Sequence, residues 1–342
     1  MKHLIVILLI TNLISFNLSA QNRPVKMGDS VKVFIDKSLA LIQANSINKD
    51  KVDWQRLKKE VYEKADGASS YEDVVAIFPY IFEHIDDHHG ALKYKDKSYY
   101  WKSNEPYLNK VVINAVKRYD TLVVKLLDKH TGYILLPGNN DFNGKNINKE
   151  AQAIRTAIAA VNTKQIRGWV LDLRLNTGGS MFQMLAGLSD LIGEGKIGSF
   201  VNQHGEKDGE WILKEGNIYL DRQQVSTLPA TVLQKKVLIP LAILISGRTA
   251  SSGEVVAIST VGREHSVLIG ENTGGYTTAN EGFKVNSLAG LNLAVDYDAD
   301  RNGKIYKKYI SPDILIKDGD NFEDLNQDLK VKRALKWIKE QQ

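Results

Sequence analysis

Apolar residues recur at helical spacing from Ser30 to about His84. Val31, Val33, Phe34, Leu39, Leu41 and Ile42 lead, Trp54, Leu57, Val61 and Tyr62 follow, and Tyr71, Val74, Val75, Ile77 and Phe78 close the run. Polar stretches at 45–50 and 66–70 separate the groups, so the pattern predicts a helical N-terminal subdomain. After Leu92 the texture changes. Segments 121–127 and 132–137 read as a hairpin, 151–161 as an amphipathic helix, 168–175 as a short buried strand and 181–192 as a helix. The stretch 198–234, rich in glycine and charge, predicts short antiparallel strands.

A strand-length apolar run then ends in Ser246-Gly247-Arg248, a breaker, followed by a Ser/Thr cluster and by Val255, Val256, Ile258 and Val261 at helical spacing. This reads as strand, tight turn, helix. A strand at 266–270, a hairpin at 282–298 and a closing helix at 321–339 complete the chain. Strands alternating with helices argue for an α/β core with a mixed, largely parallel sheet.

Composition narrows the class. The 342 residues suffice for one large domain or two modest ones, and the formal charge of +5 is spread among interleaved acids and bases. No nucleic-acid site is inferred from that distribution. The absence of cysteine excludes a thiol nucleophile, disulfides and thiolate metal sites. Residues 1–20 combine a short basic start, an apolar stretch and a small residue before Gln21, the pattern of a secretory signal peptide. No later stretch approaches the length of a bilayer span. The expected mature protein is exported and soluble, periplasmic or extracellular.

Three stretches could carry chemistry. In the first, Ser251 opens a helix, where unpaired N–H groups and the positive dipole end suit an oxyanion and an attacking alkoxide. Ser251-Ser-Gly-Glu254 equally fits a capping box that serves only the helix start. The second runs from Asp172 through Arg174 and Asn176 to Gly178-Gly179-Ser180, a strand entering a glycine turn that can bring backbone N–H donors close to another group. It lacks the spacing and lysine of a phosphate loop, and Asp172–Arg174 also reads as a structural ion pair. The third is His84-x-x-x-His88-His89 with Asp86 and Asp87. His84 and His88 could share a helix face, but the glutamate base of a zinc motif is missing. His88 or His89 could instead serve a serine as general base.

Together the D-L-R-x-N-x-G-G stretch, T-A-S-S-G-E, Gly270-Glu-Asn-Thr-Gly274 and Ile310-Ser-Pro-Asp313 resemble the C-terminal-processing (tail-specific) serine protease family, whose superfamily includes tricorn and nisin-resistance proteases. The resemblance runs from about Trp54 to the end. It implies a ClpP/crotonase-like α/β core behind the helical part, giving a signal peptide at 1–20, a helical subdomain at 21–92 and a catalytic domain at 93–342. It implies Ser251 as nucleophile, with the backbone N–H of Ser252 and of Gly178 or Gly179 as oxyanion donors. The family lysine is missing: Tyr276 stands at the matching place and the nearest lysine is Lys284. No PDZ-like insertion is evident. The resemblance therefore points to the branch with a histidine base, here His89 with His88 as fallback, and Gly90 stands where that branch has a hydroxyl residue. Glu254 or Glu271 could complete the polar network. The expected activity is peptide-bond hydrolysis of a peptide or protein substrate through an acyl-enzyme, with no cofactor and no metal. A narrow peptidase for a lantibiotic-like peptide and a non-catalytic peptide- or ligand-binding protein on the same scaffold are the alternatives.

Overall fold

In the computed structural model, residues 27–102, 109–141, 144–229 and 239–342 are described. The expected signal peptide and the 230–234 end of the glycine-rich stretch lie outside them. The N-terminal part forms α1 (Asp29–Asn45), α2 (Trp54–Lys64), α3 (Tyr71–Val75) and α4 (Phe78–His84). The Asp53 carboxylate starts α2 by accepting from Arg56 N at 3.0 Å, and Asp73 does the same service for α3 through Ser70 N at 2.8 Å. Next come β1 (Ala91–Tyr94), β2 (Lys97–Tyr99), α5 (Lys110–Val116), β3 (Val123–Leu126), β4 (Thr131–Leu135), α6 (Ile147–Val161), β5 (Gly168–Asp172), α7 (Met181–Gly187) and α8 (Ser189–Ile192). Four strands follow, β6 (Gly195–Val201), β7 (Lys207–Lys214), β8 (Asn217–Leu220) and β9 (Gln223–Gln224), then β10 (Leu241–Ile245), α9 (Ser252–Thr260) and β11 (Ser266–Gly270). The chain closes with β12 (Thr278–Lys284), β13 (Ala289–Asp300), β14 (Ile305–Tyr306), β15 (Ile314–Leu315) and α10 (Leu329–Glu340).

The expected mixed sheet has the order β15-β11-β10-β5-β4-β3, parallel except for the β3–β4 hairpin. Strands that follow one another along the chain are neighbours in space, so each crossover returns to the adjacent position and the core winds as one spiral. Period-two alternation sorts its side chains. Trp169, Leu171, Ile243 and Ile245 join the core beneath α6, α7 and α9, while Val170, Ala242, Leu244 and Ile269 pack towards α10.

The second sheet is larger than the hairpin at 282–298 and the short strands at 198–234 anticipated from the sequence. It is built on β13, which takes β12 and β14 along one edge and β1 and β6 along the other, all antiparallel. The helical subdomain is sewn in through it: Leu92 of β1 and Leu291 and Leu293 of β13 share a core with Phe34, Val61, Phe78 and Phe82. The boundary at 92 thus falls inside a strand that pairs with residues some 200 positions later. The helix expected at 181–192 is two short ones meeting at Leu188. The closing helix begins at Leu329 rather than 321, because the Asp328 carboxylate accepts from Lys330 N and Val331 N and sets the start there.

Candidate active site

Strand β10 is buried along its whole length and delivers the chain into a turn laced to the turn after β5. Ser246 Oγ donates to Arg174 O at 2.7 Å, Thr249 Oγ1 to Leu173 O at 2.8 Å and Ala250 N to Asn176 O at 2.9 Å. The two stretches singled out in the sequence are therefore one structure. Ser251 sits at the head of α9 with φ 53° and ψ −124°, not in the extended conformation of an ordinary cap. The Glu254 half of the capping box does form, with Ser251 N donating to Glu254 Oε2 at 2.9 Å. A β-carbon on Gly178 would fall 2.9 Å from Ser251 Cβ, so glycine is what lets the second turn approach the serine. Positive φ at a serine is strained by about 1–3 kcal/mol. Ser251→Gly is accordingly expected to be more stable than Ser251→Ala by about 1 kcal/mol, after the larger chain entropy of unfolded glycine is subtracted. Urea titration of the two variants measures this, and equal midpoints would mean an unstrained turn.

The glycines differ in what their N–H groups do. Gly178 N donates to Asn176 Oδ1 at 3.0 Å, whereas among the described residues neither Gly179 N nor Ser252 N donates a hydrogen bond. Gly179 is fixed through its carbonyl, which accepts from Ser252 Oγ at 2.7 Å. Its backbone crowds Asn139, whose Oδ1 accepts from Ser180 N at 3.0 Å. Asn139 was not anticipated from the sequence.

The two histidines face different tasks. His88 Nε2 meets Gly275 O at 2.8 Å, and since a carbonyl only accepts, that nitrogen carries the proton. His89 Nδ1 meets Thr278 Oγ1 at 2.7 Å, and Thr278 Oγ1 meets Asn280 Oδ1 at 3.2 Å. Asn280 is oriented by its Nδ2, which donates to His89 O at 2.9 Å. The Asn280 oxygen must then receive the threonine proton, so Thr278 accepts from His89 Nδ1–H and Nε2 keeps its lone pair. The hydroxyl missing at Gly90 is thus supplied from β12, which no local pattern pairs with His89. Gly90 itself has a packing reason: a β-carbon there would fall 2.4 Å from the Asp87 carboxylate. That carboxylate accepts from His89 N, Gly90 N and Ala294 N and ties the turn to β13. Burial, then the charge of His88, pushes the His89 imidazole down to about 3. His84 ends α4 with Nδ1 on Tyr80 O, while His88 lies beyond the helix, so the two do not share a helix face.

Tyr276, at the place of the family lysine, has its ring 5.1 Å from each of the His88 and His89 rings. Its N–H donates to the same Glu254 oxygen that holds Ser251 N, at 2.7 Å. Glu254 also accepts from Gly275 N at 2.9 Å and from the Thr273 hydroxyl, so one fully buried carboxyl binds the helix head to the loop beside the histidines. Burial raises it to about 7 against the pull of those donors. Glu271 belongs elsewhere. It accepts from Asp318 N and faces Lys330 Nζ at 3.4 Å, within a buried cluster containing Arg174, Asp172, Asp320 and Asp328. Among the described residues no hydrogen bond joins His89 to Ser251, a contact that in free enzymes is commonly loose and tightens with substrate.

Beside the histidines opens a cleft of about 720 Å³, whose wall includes His88, His89, Thr278 and the Gly274–Gly275 loop that Glu254 holds from its other side. Ser251 does not line it.

The sequence description "Peptidase family S41" matches residues 130–316. The chain is 24% identical over 294 residues to the nisin-resistance protein of Lactococcus lactis subsp. lactis, covering 85% of this chain and 82% of that one. It is 24% identical over 176 residues to a carboxy-terminal-processing protease of Bartonella bacilliformis, 51% of this chain and 37% of the other. Among solved structures, a lipoprotein from Streptococcus agalactiae superposes with TM-score 0.67 at 20% identity, over 92% of this chain and 97% of that one. The photosystem II D1 C-terminal processing protease gives 0.53 at 12% identity, over 84% and 93% of the two chains.

Proposed function

The chain belongs to peptidase family S41 and is a serine-type peptidase, and from that premise we propose a Ser–His mechanism in which Ser251 is the nucleophile and His89 the base. His89 Nε2 removes the Ser251 hydroxyl proton as the oxygen attacks the scissile carbonyl. The Gly179 and Ser252 N–H groups hold the oxyanion, and Gly178 keeps the turn against the serine. The histidinium then protonates the leaving amine, and water resolves the acyl-enzyme through the same nitrogen. Glu254 positions the helix head and loop, His88 anchors the loop through Gly275, and Glu271 takes no part in the chemistry. The observation that carries this reading is the Asn280–Thr278–His89 chain, which leaves a half-buried, neutral imidazole with a free Nε2 lone pair. The non-catalytic alternative gives way to the family membership. Export to the periplasm or the extracellular space is proposed on the composition of residues 1–20; no described helix is long and apolar enough to cross a membrane.

The test is labelling with a fluorophosphonate followed by peptide mapping, in the native chain and in His89→Ala. Label on Ser251 that is lost in the variant is the expected result, and label retained in His89→Ala would remove that histidine as the base. The working form is neutral and is lost only as pH falls through its folded value. The labelling rate should therefore stay level through the ordinary histidine value of 6.5 and decline towards about 3. The stability this group contributes has the same sense: present above 6.5 and lost as pH falls towards 3, since the unfolded chain takes the proton first.

Thr278→Val keeps the volume but frees the ring and leaves Nδ1–H without an acceptor. Its expected effect is a fall in kcat of about 10²-fold with KM little changed, largely restored in Thr278→Ser. Steady-state kinetics on a cleaved peptide read this directly.

A second reading, a narrow peptidase for a lantibiotic-like peptide, is favoured by the match to the nisin-resistance protein along 85% of this chain. Cleavage of nisin set against a panel of unmodified peptides separates it from a broad endopeptidase.

A further inference from the structure

The cleft beside His88 and His89 has a sidedness that the catalytic residues do not use. Lys307, Lys308 and Lys317 line it, all exposed, and among the described residues none of the three is in an ion pair. Lys307 is steadied by its ammonium lying 5.3 Å from the centre of the Tyr297 ring, another residue of the wall. Three carboxylates also reach the cleft, but two are already committed. Asp87 is buried and accepts from three backbone N–H groups, and Glu271 is buried against Lys330. Asp86 alone is exposed. The solvent-facing charge is therefore three cations to one anion.

The same wall carries exposed apolar surface. Leu315 is 61% exposed and Tyr309 is 48% exposed, both beside the lysines, with Trp101 also lining the cleft. Large apolar side chains left in water next to unpaired cations match a partner that brings apolar and acidic groups together.

We propose that this cleft selects substrates carrying acidic side chains next to apolar ones, with Lys307, Lys308 and Lys317 as the specificity-determining residues. The inference rests on the peptidase reading for its consequence, since it concerns which segment is held beside the histidines. The carboxylates of the bound segment pair with the lysine ammonium groups, and its apolar side chain covers Leu315 and Tyr309. Neither contact touches the reacting atoms, so the preference resides in binding.

Three acetylated and amidated peptides with one apolar core, flanked by three Glu, three Gln or three Lys, test this on Ser251→Ala by fluorescence anisotropy. The Glu peptide should bind about tenfold more tightly than the Gln peptide at low ionic strength. That advantage should shrink as salt is raised. In Ser251→Ala carrying Lys307→Glu, Lys308→Glu and Lys317→Glu, the order should invert in favour of the Lys peptide. Equal affinity for all three peptides, or tighter binding of the Lys peptide before charge reversal, would overturn the proposal. So would a Gln peptide with a free C-terminal carboxylate binding as tightly as the Glu peptide, which would transfer recognition to the chain end. Fluorophosphonate labelling of the three lysine changes in the chain that keeps Ser251 should proceed at the native rate, showing the fold and centre intact. Absence of label on the native chain would sink the acyl-transfer mechanism and still leave the binding order to be read.

Discussion

Ser251→Ala is expected to lower kcat for peptide hydrolysis by about 10⁶-fold, the scale on which removal of a nucleophile acts in other serine hydrolases. The change deletes one oxygen at a half-buried position. The Glu254 carboxylate still receives Ser251 N, Gly275 N and Tyr276 N through backbone groups that alanine retains. The variant should therefore fold, bind peptide and keep the Gly179 and Ser252 donors. Residual hydrolysis of about 10³-fold over water is what those donors and binding supply without a nucleophile. The measurement is kcat on a cleaved peptide together with fluorophosphonate labelling of the same preparation. A variant with a tenth of native activity would take Ser251 out of the chemistry altogether.

The largest effect on stability is expected at Arg174. Its guanidinium has no exposed surface and meets Asp172 Oδ2 at 2.6 Å, Asp320 Oδ1 at 2.6 Å and Asp328 Oδ2 at 2.7 Å. Phe322 lies under it at 4.3 Å from the ring centre. Arg174→Met fills much of the volume but leaves four buried carboxylates, Asp172, Asp320, Asp328 and Glu271, to one remaining cation, Lys330, which faces Asp320 at 2.6 Å and Glu271 at 3.4 Å. Removing one partner of a buried ionic network strands charge that water cannot reach, and about 3–5 kcal/mol of unfolding free energy should be lost. Denaturant titration measures it, and a loss below about 1 kcal/mol would show that the cluster is not electrostatically coupled as its distances require. Activity should fall as well, because the Arg174 and Leu173 carbonyls accept from Ser246 and Thr249, and so join the Gly178–Gly179 turn to the Ser251 turn.

Where an element is built from local chemistry, the sequence already displays it. The strand at 266–270 coincides with β11. The apolar run into Ser246, the small residues after it and the apolar spacing from Val255 predict β10, the turn and α9. The helical groups between 30 and 84 appear as α1 to α4. The weak signals failed for physical reasons. Strands β14 and β15 are two residues each and exist only through their partners β13 and β11. Helix α5 buries just Val112 and Ala115, too short a stripe to stand out. At the other end, α10 buries Lys330, and a lysine at a helix start reads as solvated until its buried counter-ions are known.

The site divides along the same line. Ser251, Gly178 and Gly179 are legible from sequence because a serine at a helix head and a glycine turn after a strand are local backbone facts. His88 and His89 are visible too, but nothing local distinguishes them. That distinction comes from Gly275 and Thr278, which lie 187 and 189 residues away and reach the histidines only because β12 and β1 flank the same strand β13. Likewise Glu254 looks like a cap in sequence, and becomes a tie between helix and loop once Thr273, Gly275 and Tyr276 are folded against it. Sequence by itself determined which residues could attack and which backbone could receive charge, since φ/ψ preference and helix ends are encoded within a few positions. Tertiary structure alone decided which histidine keeps its lone pair on Nε2 and which buried carboxyl meets which cation, because hydrogen bonds and ion pairs depend on distance in space.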